Sequence, residues 1–250
     1  MRKQGLWWTA LLLLSTSLGW AQSNADKVCE VNVTVPKPGA AKQFEEARKK
    51  HNEFHKAEKD KHAIWIWSIS AGPATGNYLT ATCGMTWKEM DGNDAFDQRD
   101  EADRQKTLTP TIATNQAGYY IFRTDLSTGT EGATPTKMLT AVDFFVKPGG
   151  LAQFTDAIKR INAAIKQTQY PAKPSRWYQL AVGGEGPRFV LVTDRNSWAD
   201  MQGPEQSLAD MLKQAYGNDD KTLQNLRDAT DHTVSQLMDY RADLSYVPAK

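Results

Sequence analysis

Apolar and polar positions along the chain predict one order of elements twice. Residues 29–35 alternate between apolar and polar side chains and residues 139–146 are mostly apolar, so each segment is predicted to be a strand ending at a Lys-Pro-Gly turn. A helix follows each turn, and the second helix carries apolar residues at spacings of 3 and 4. The resulting order, β-α-β-β-α-β in each half, is a ferredoxin-like α+β fold. The remaining strands are predicted at residues 63–70, 77–83, 117–123, 176–183, 188–193 and 235–241.

The two halves also repeat one another in sequence. Ten identities recur at an offset of 110 and end with Trp67 and Trp177; four more recur at an offset of 111, after a one-residue slip that we place beyond Trp67. The motif Arg-x-Asp-Leu-Ser closes each half, at Arg123 and Arg241. We interpret the chain as tandem copies of one module. The predicted divisions are module 1 at residues 29–127, a Gly/Thr-rich linker at 128–137 and module 2 at 138–247.

The first residues are typical of an export signal. Arg2 and Lys3 precede an apolar run at residues 6–18, and small residues occupy the positions that a signal peptidase reads before Gln22. A membrane anchor is the alternative, but the run is shorter than the roughly 20 residues that span a bilayer. We therefore predict a signal peptide at residues 1–21, a periplasmic or secreted location, and no membrane segment after cleavage.

Charge and cysteine content narrow the classes of function. The formal net charge of +1 becomes −1 once the signal peptide is removed, which leaves no electrostatic basis for binding nucleic acid. In an oxidising compartment an isolated pair of cysteines is typical of a disulfide, and the ferredoxin-like topology brings the start of the first strand beside the end of the third. We therefore predict a Cys29–Cys83 disulfide, and neither a CxxC redox motif nor a Cys/His zinc site.

His51 and His55 lie one helical turn apart, where the second copy has Ile161 and Ile165. Two imidazoles at this spacing can share a metal or face a ligand, and we name both residues as candidate ligand contacts. Because the helix is highly charged and no third ligand is evident beyond His62 and the nearby Glu58, the simpler interpretation is a partly solvated helix edge. No metal site and no cofactor are predicted.

Aromatic residues on the predicted strands are the other candidates for a ligand site. Trp67 and its repeat Trp177 lie on second strands, and Tyr120 and Tyr240 lie on last strands. Such stripes are commonly core packing, yet a phenol hydroxyl in an apolar space is also what a small-molecule pocket presents. We predict that these four residues face a cavity between the two sheets, with core packing as the alternative.

Several other residues receive structural interpretations. Trp87 and Trp198 adjoin capping-box sequences and are expected to anchor those turns against the sheet. Arg123 and Arg241 are expected to pair with the aspartate two residues further on. Asp143 is the one acid in an apolar strand: burial would raise its pKa and suit a general base, whereas an exposed edge position is the simpler expectation.

The Lys-Pro-Gly opening, the Ser/Thr-Trp turn after the third strand and the Arg-x-Asp-Leu-Ser ending together resemble the dimeric α/β-barrel superfamily. Its NIPSNAP-like and antibiotic-biosynthesis-monooxygenase-like domains are the most similar, and the likeness covers nearly all of both modules. The resemblance implies two ferredoxin-like modules that pair within one chain as a dimeric α/β barrel. It does not imply one reaction, since the superfamily includes cofactor-free oxygenases, haem-handling proteins and isomerases.

Three functions remain open. The first is binding of a small apolar or aromatic molecule in the cavity between the sheets, by a monomer or a homodimer. The second is cofactor-free monooxygenase or isomerase activity of the superfamily's kind. The third is a structural or interaction role with a filled barrel. No catalytic triad, phosphate-binding loop or dinucleotide fingerprint can be assembled from the sequence, so whether the protein is an enzyme is left open.

Overall fold

A computed structural model describes residues 27–92, 94–132 and 134–249, and the predicted signal peptide at residues 1–21 lies outside them. The described residues form an α+β fold with one large antiparallel sheet and five α-helices, which confirms the predicted class. The strands are β1 Val28–Pro36, β2 Trp65–Ala71, β3 Tyr78–Met85, β4 Ile112–Phe122, β5 Met138–Val146, β6 Ser175–Val182, β7 Arg188–Arg195 and β8 Thr230–Tyr240. The helices are α1 Ala41–Glu58, α2 Asp94–Thr107, α3 Leu151–Thr168, α4 Leu208–Tyr216 and α5 Thr222–Ala229.

The sheet closes on itself as a barrel in the order β1-β3-β2-β8-β5-β7-β6-β4. Within each half the first strand lies between the third and the last, and the second strand pairs with the third. Two further antiparallel pairings, β2 with β8 and β4 with β6, join the halves. No strand of the barrel is therefore left with an unpaired edge, which removes the usual route to edge-to-edge association.

Apolar side chains form two layers around this barrel. The interior layer combines residues from both halves, including Trp67, Met238 and Leu139. Outside the barrel, α1 covers one half through Phe44, and α3, α4 and α5 cover the other through a larger cluster centred on Phe154. The interior is thus a single core to which both halves contribute.

The last strand of each half starts earlier than the sequence pattern predicted. β4 begins at Ile112 and β8 at Thr230, and the first residues of both are largely exposed and polar. Their membership in a strand comes from pairing with β1 and β5 rather than from an apolar alternation. The second half is longer than the first, and it has two helices, α4 and α5, separated at Gly217, where the first half has α2.

Cys29 and Cys83 form a disulfide between β1 and β3, as predicted. On the chain-entropy model, a bridge that closes 54 residues stabilises the fold by about 4 kcal/mol. Within the described part of the chain, no helix is both long and apolar enough to cross a bilayer.

Turns in the two halves contain the hydrogen bonds and ion pairs between near neighbours that the sequence predicts. Both capping boxes form: Thr86 and Glu89 exchange hydrogen bonds, and Ser197 does the same with its partner three residues on. Arg123 and Arg241 each pair with the expected aspartate, at 2.8 and 2.9 Å. One expectation is wrong: Trp198 is 71% exposed and does not anchor its turn.

Candidate functional site in the barrel interior

All eight strands contribute side chains to a cavity of about 120 Å³ inside the barrel. Its walls are mainly apolar, and Gly132 and Pro135 of the segment between β4 and β5 also line it. The hydroxyl of Thr136 in that segment lies 3.3 Å from Asp194 of β7, which ties the connection to the barrel. For comparison, an apolar cavity of about 150 Å³ holds one benzene molecule. The barrel is therefore not completely filled.

Tyr120 and Tyr178 supply phenol hydroxyls to this cavity. Neither hydroxyl hydrogen-bonds to another residue that the structure describes. Burial raises the pKa of both, for Tyr178 to about 12, so both phenols stay protonated and can donate at neutral pH. Because both residues line the cavity and no described residue is hydrogen-bonded to either hydroxyl, the two phenols are available to an acceptor on a bound molecule.

Arg176 is the charged residue at the cavity wall. One of its guanidinium nitrogens donates to Asp194 Oδ1 at 2.7 Å, while its Nε is buried without a hydrogen-bond partner among the described residues. Trp67 Nε1, also on a residue of the wall, is buried and unpartnered as well. The cavity is thus apolar in surface but surrounded by more hydrogen-bond donors than acceptors.

Trp177 does not line the cavity, which corrects its expected pairing with Trp67. Cross-strand partners share one face of a sheet: Trp67 lies opposite Leu79 inside the barrel, whereas Trp177 lies opposite Leu191 in the outer core. Trp177 packs there against Phe154, with ring centroids 5.8 Å apart.

Trp177 faces the outer core because of where the one-residue slip between the two halves of the sequence falls. Both first helices end in a left-handed residue at an offset of 110, Lys59 and Gln169, but the second strands already match at 111, since Trp67 and Tyr178 occupy equivalent registers. The slip therefore falls before the second strand rather than after it. Because side chains alternate along a strand, a slip of one residue reverses every face.

Tyr240 lies in the interior layer, as expected, but beside the cavity rather than on its wall. Its ring centroid is 6.0 Å from that of Trp65 and 5.9 Å from that of Trp67. The three rings pack as one aromatic cluster, in which Trp65 and Trp67 face the cavity. Tyr120 and Trp67 are thus the predicted residues that the structure places on the wall.

Asp143 is buried, contrary to its expected place on an exposed edge. β5 lies between β7 and β8, so Asp143 belongs to a central strand, where it accepts a hydrogen bond of 2.7 Å from Arg188 Nε. Burial raises the pKa of Asp143 and the guanidinium opposes that rise. Because its carboxylate is held in this ion pair, Asp143 is not a free base.

His51 and His55 are also buried, at 2% and 4% exposure, which corrects the expectation of a solvated helix edge. Their Nε2 atoms lie 3.2 Å apart, and Asp100 of α2 approaches both. This histidine cluster lies outside the barrel, between α1 and α2, and is separate from the cavity.

Tyr178, Arg176 and Asp100 are site residues that the sequence analysis did not name. The first two become visible if the slip in the repeat is moved to the α1–β2 connection, where it aligns them with Trp67 and Trp65. No comparable signal points to Asp100, because its position against α1 depends on how the two helices pack.

Neither a family model nor a curated protein sequence matches the chain. Several solved structures do match the chain. A candidate monooxygenase from Lactobacillus acidophilus is 7% identical, with a TM-score of 0.56 over 90% of this chain and 97% of that chain. An anthrone oxidase-like protein is 12% identical, with a TM-score of 0.56 over 90% and 94%. A candidate monooxygenase from Fusobacterium nucleatum is 8% identical, with a TM-score of 0.57 over 87% and 94%.

These similarities extend over both halves of the chain and nearly the whole of each compared protein. At such low identity they show a shared fold and not a shared reaction. The chain therefore has the fold of these three proteins.

Proposed function

We propose that this protein binds a small, largely apolar molecule of about the size of one aromatic ring inside its barrel. The two unpartnered phenol hydroxyls of Tyr120 and Tyr178, in an otherwise apolar cavity, carry the proposal. Such a site favours a ligand with an apolar body and one hydrogen-bond-accepting oxygen, such as a phenol or a cyclic ketone, because the oxygen would satisfy a donor that has no partner in the free protein.

The test measures the affinity of the protein for a panel of monocyclic phenols and cyclic ketones. Binding is detected by quenching of tryptophan fluorescence and by calorimetry. Ala141→Phe fills the cavity from a position on its wall and is expected to abolish binding. Tyr178→Phe removes one donor and should weaken binding about 5- to 10-fold, which corresponds to one hydrogen bond.

Tyr119→Phe is the matched control. Tyr119 precedes Tyr120 on β4 and faces the other side of the sheet, where its ring lies 6.3 Å from Trp87. Its replacement should leave affinity unchanged. Equal binding by the wild-type protein and Ala141→Phe, or no binding by any member of the panel, would overturn the proposal.

A cofactor-free oxygenase is the second candidate, and the specific observation in its favour is the fold shared with an anthrone oxidase-like protein and two candidate monooxygenases. It requires the same cavity, so the ligands found by binding are the substrates to test. Oxygen uptake in an oxygen electrode, above that of the ligand alone and lost in Ala141→Phe, would support an enzyme. Uptake equal to that of the ligand alone would leave binding as the function.

We further propose that the chain arose as two fused ferredoxin-like modules and that the mature protein begins at Gln22 outside the cytoplasm. Supporting the first point are the repeat and the equivalent strand order of the halves. Supporting the second are the charged and apolar pattern of residues 1–21 and the Cys29–Cys83 disulfide, which is compatible with an oxidising compartment.

A further inference from the structure

The buried face of α1 differs in one respect from its counterpart in the second half. Where α3 buries Ile158 and Ile161, α1 buries Arg48 and His51 at equivalent positions, and His55 follows one turn later. Burying polar groups is costly unless they are satisfied, and the same chain shows that apolar residues fit this position in the fold. The polar face of α1 therefore calls for an explanation beyond packing.

Each of the two histidine rings has a carboxylate within hydrogen-bonding distance of its Nδ1 atom. His51 Nδ1 lies 2.7 Å from Asp103 Oδ2, and His55 Nδ1 lies 3.0 Å from Asp60 Oδ2. An Nδ1–H that donates to a carboxylate leaves Nε2 of a neutral imidazole with a free lone pair.

The Nε2 atoms of the two rings converge on each other and on Asp100. The Nε2 atoms are 3.2 Å apart, and Asp100 Oδ1 lies 3.3 Å from His51 Nε2 and 3.5 Å from His55 Nε2. Asp100 Oδ1 is itself buried and has no hydrogen-bond donor among the described residues. When both Nδ1 atoms donate to their carboxylates, three electron-pair donors face one another, an arrangement that either a proton on one Nε2 or a metal ion between the three atoms would relieve.

The distances among the two Nε2 atoms and Asp100 Oδ1 match those between the ligands of a tetrahedral metal ion. Ligand atoms at about 2.0–2.1 Å from a tetrahedral zinc ion lie about 3.3 Å from one another, whereas neighbouring ligands of an octahedral ion at the same bond length lie about 2.9 Å apart. The carboxylates that contact the Nδ1 atoms would complete the carboxylate–histidine–metal arrangement that orients ligands in zinc proteins. His55 and Asp100 also line an open surface groove, which provides an entry path.

Charge around the cluster is also suited to a divalent ion. Asp60, Asp100 and Asp103 contribute three negative charges, and Arg48, which is buried with its Nε unpartnered, contributes one positive charge. The nearby Arg99 and Arg104 are each paired with a glutamate. The three carboxylates and the one guanidinium sum to an excess of two negative charges around the cluster.

We propose that His51 Nε2, His55 Nε2 and Asp100 Oδ1 form a binding site for a divalent transition-metal ion, zinc in the first instance, with the fourth position left to water. Asp103 and Asp60 are positioning residues that hold the two rings. Glu58 and His62, the nearest alternatives in sequence, are not ligands: Glu58 pairs with Arg99, and His62 lies beside Asp60 on the side away from the Nε2 atoms. The ion would clamp α1 to α2.

The test is calorimetric titration of the chelator-treated full-length protein with ZnCl2 and MgCl2 at pH 7, together with thermal unfolding with and without zinc. We expect one zinc ion per chain, a melting temperature raised by several degrees, and no binding of magnesium, which prefers oxygen ligands. Cobalt(II) in the same site should give the strong visible absorption of a tetrahedral complex.

Variants separate a built site from adventitious binding. His51→Ile/His55→Ile, which places the residues of the second half in the first, should fold and lose zinc binding about 100-fold or more. Asp103→Asn keeps both rings and should weaken binding about 10- to 100-fold through loss of positioning. His232→Gln removes an exposed histidine that pairs with Asp231 and should bind zinc like the wild type.

Failure of the wild-type protein to take up zinc would overturn the proposal and leave a proton shared within the histidine pair as the explanation. Equal zinc binding by the wild type and the double isoleucine variant, or a loss confined to His232→Gln, would overturn it as well. None of these outcomes depends on the barrel cavity, so the metal site and the proposed ligand site can fail separately.

Discussion

At the scale of single residues, the barrel interior depends on how its few charges are paired. Asp143 is 3% exposed and is held by Arg188, whose guanidinium also lies 5.8 Å from the ring centroid of Tyr120. A buried ion pair contributes little net stability compared with apolar residues, but removal of one partner leaves the other charge buried and uncompensated.

Asp143→Ala is therefore expected to lower the free energy of unfolding by about 3 kcal/mol. Asp143→Ala/Arg188→Met should recover at least half of that loss, because it removes the stranded guanidinium. Asp156→Ala, an exposed aspartate on α3, serves as the control and should change stability by less than about 0.5 kcal/mol. Urea denaturation measures all three; an Asp143→Ala protein as stable as the control would show that the ion pair is not buried as described.

At the scale of elements, the backbones of the two halves approach each other closely at the seams, where β2 meets β8 and β4 meets β6. Gly72 follows β2 and Gly183 follows β6, both with positive φ, at +110° and +99°. A Cβ on Gly72 would lie 2.6 Å from the carbonyl oxygen of Ser235, and one on Gly183 would lie 2.5 Å from that of Ala117. Equivalent glycines therefore allow the strands of one half to approach those of the other.

Gly72→Ala should destabilise the protein by roughly 3 kcal/mol, through left-handed strain together with a backbone clash at the seam. Gly76→Ala is the matched control, because Gly76 also has positive φ, +88°, but nothing lies within 4 Å of its Cβ position. That variant bears the strain alone and should lose roughly 1 kcal/mol. Thermal and urea unfolding compare the two, and equal losses would mean that the seam can relax around the added methyl group.

At the scale of the whole molecule, the two halves share one interior. The seam pairings β2–β8 and β4–β6 close the barrel, and the interior layer draws residues such as Trp67 and Leu139 from opposite halves. Separation of the halves would expose both this apolar layer and two strand edges. One cooperative unfolding transition is the expected behaviour of such a structure.

A fragment of residues 27–127 is expected to form a homodimer, because its free β2 and β4 edges can pair with those of a second copy as they do with β8 and β6 in the intact chain. Light scattering after size exclusion should give twice the fragment mass, and its melting temperature should rise with concentration. The intact chain, whose barrel closes within one molecule, is the control and should unfold at a concentration-independent temperature. A folded monomeric fragment would contradict this expectation.

Much of the fold could be read from local sequence pattern. Strand and helix order, both capping boxes and the Arg123 and Arg241 ion pairs follow from periodicity and from contacts between residues a few positions apart. The disulfide follows from the strand order that this pattern predicts. The earlier starts of β4 and β8 could not be read in this way, because their exposed first residues carry no apolar alternation and are held by pairing with distant strands.

The candidate sites required the tertiary structure. A slip of one residue before β6 reversed the faces of Trp177 and Tyr178, and a slip of this kind leaves the local pattern of a strand almost unchanged. The burial of His51 and His55 and their convergence on Asp100 depend on helix packing across some 45 residues of chain. The sequence by itself determined which elements form, since these depend on near neighbours; only the tertiary structure decided which side chains meet, since that depends on how distant segments are registered against one another.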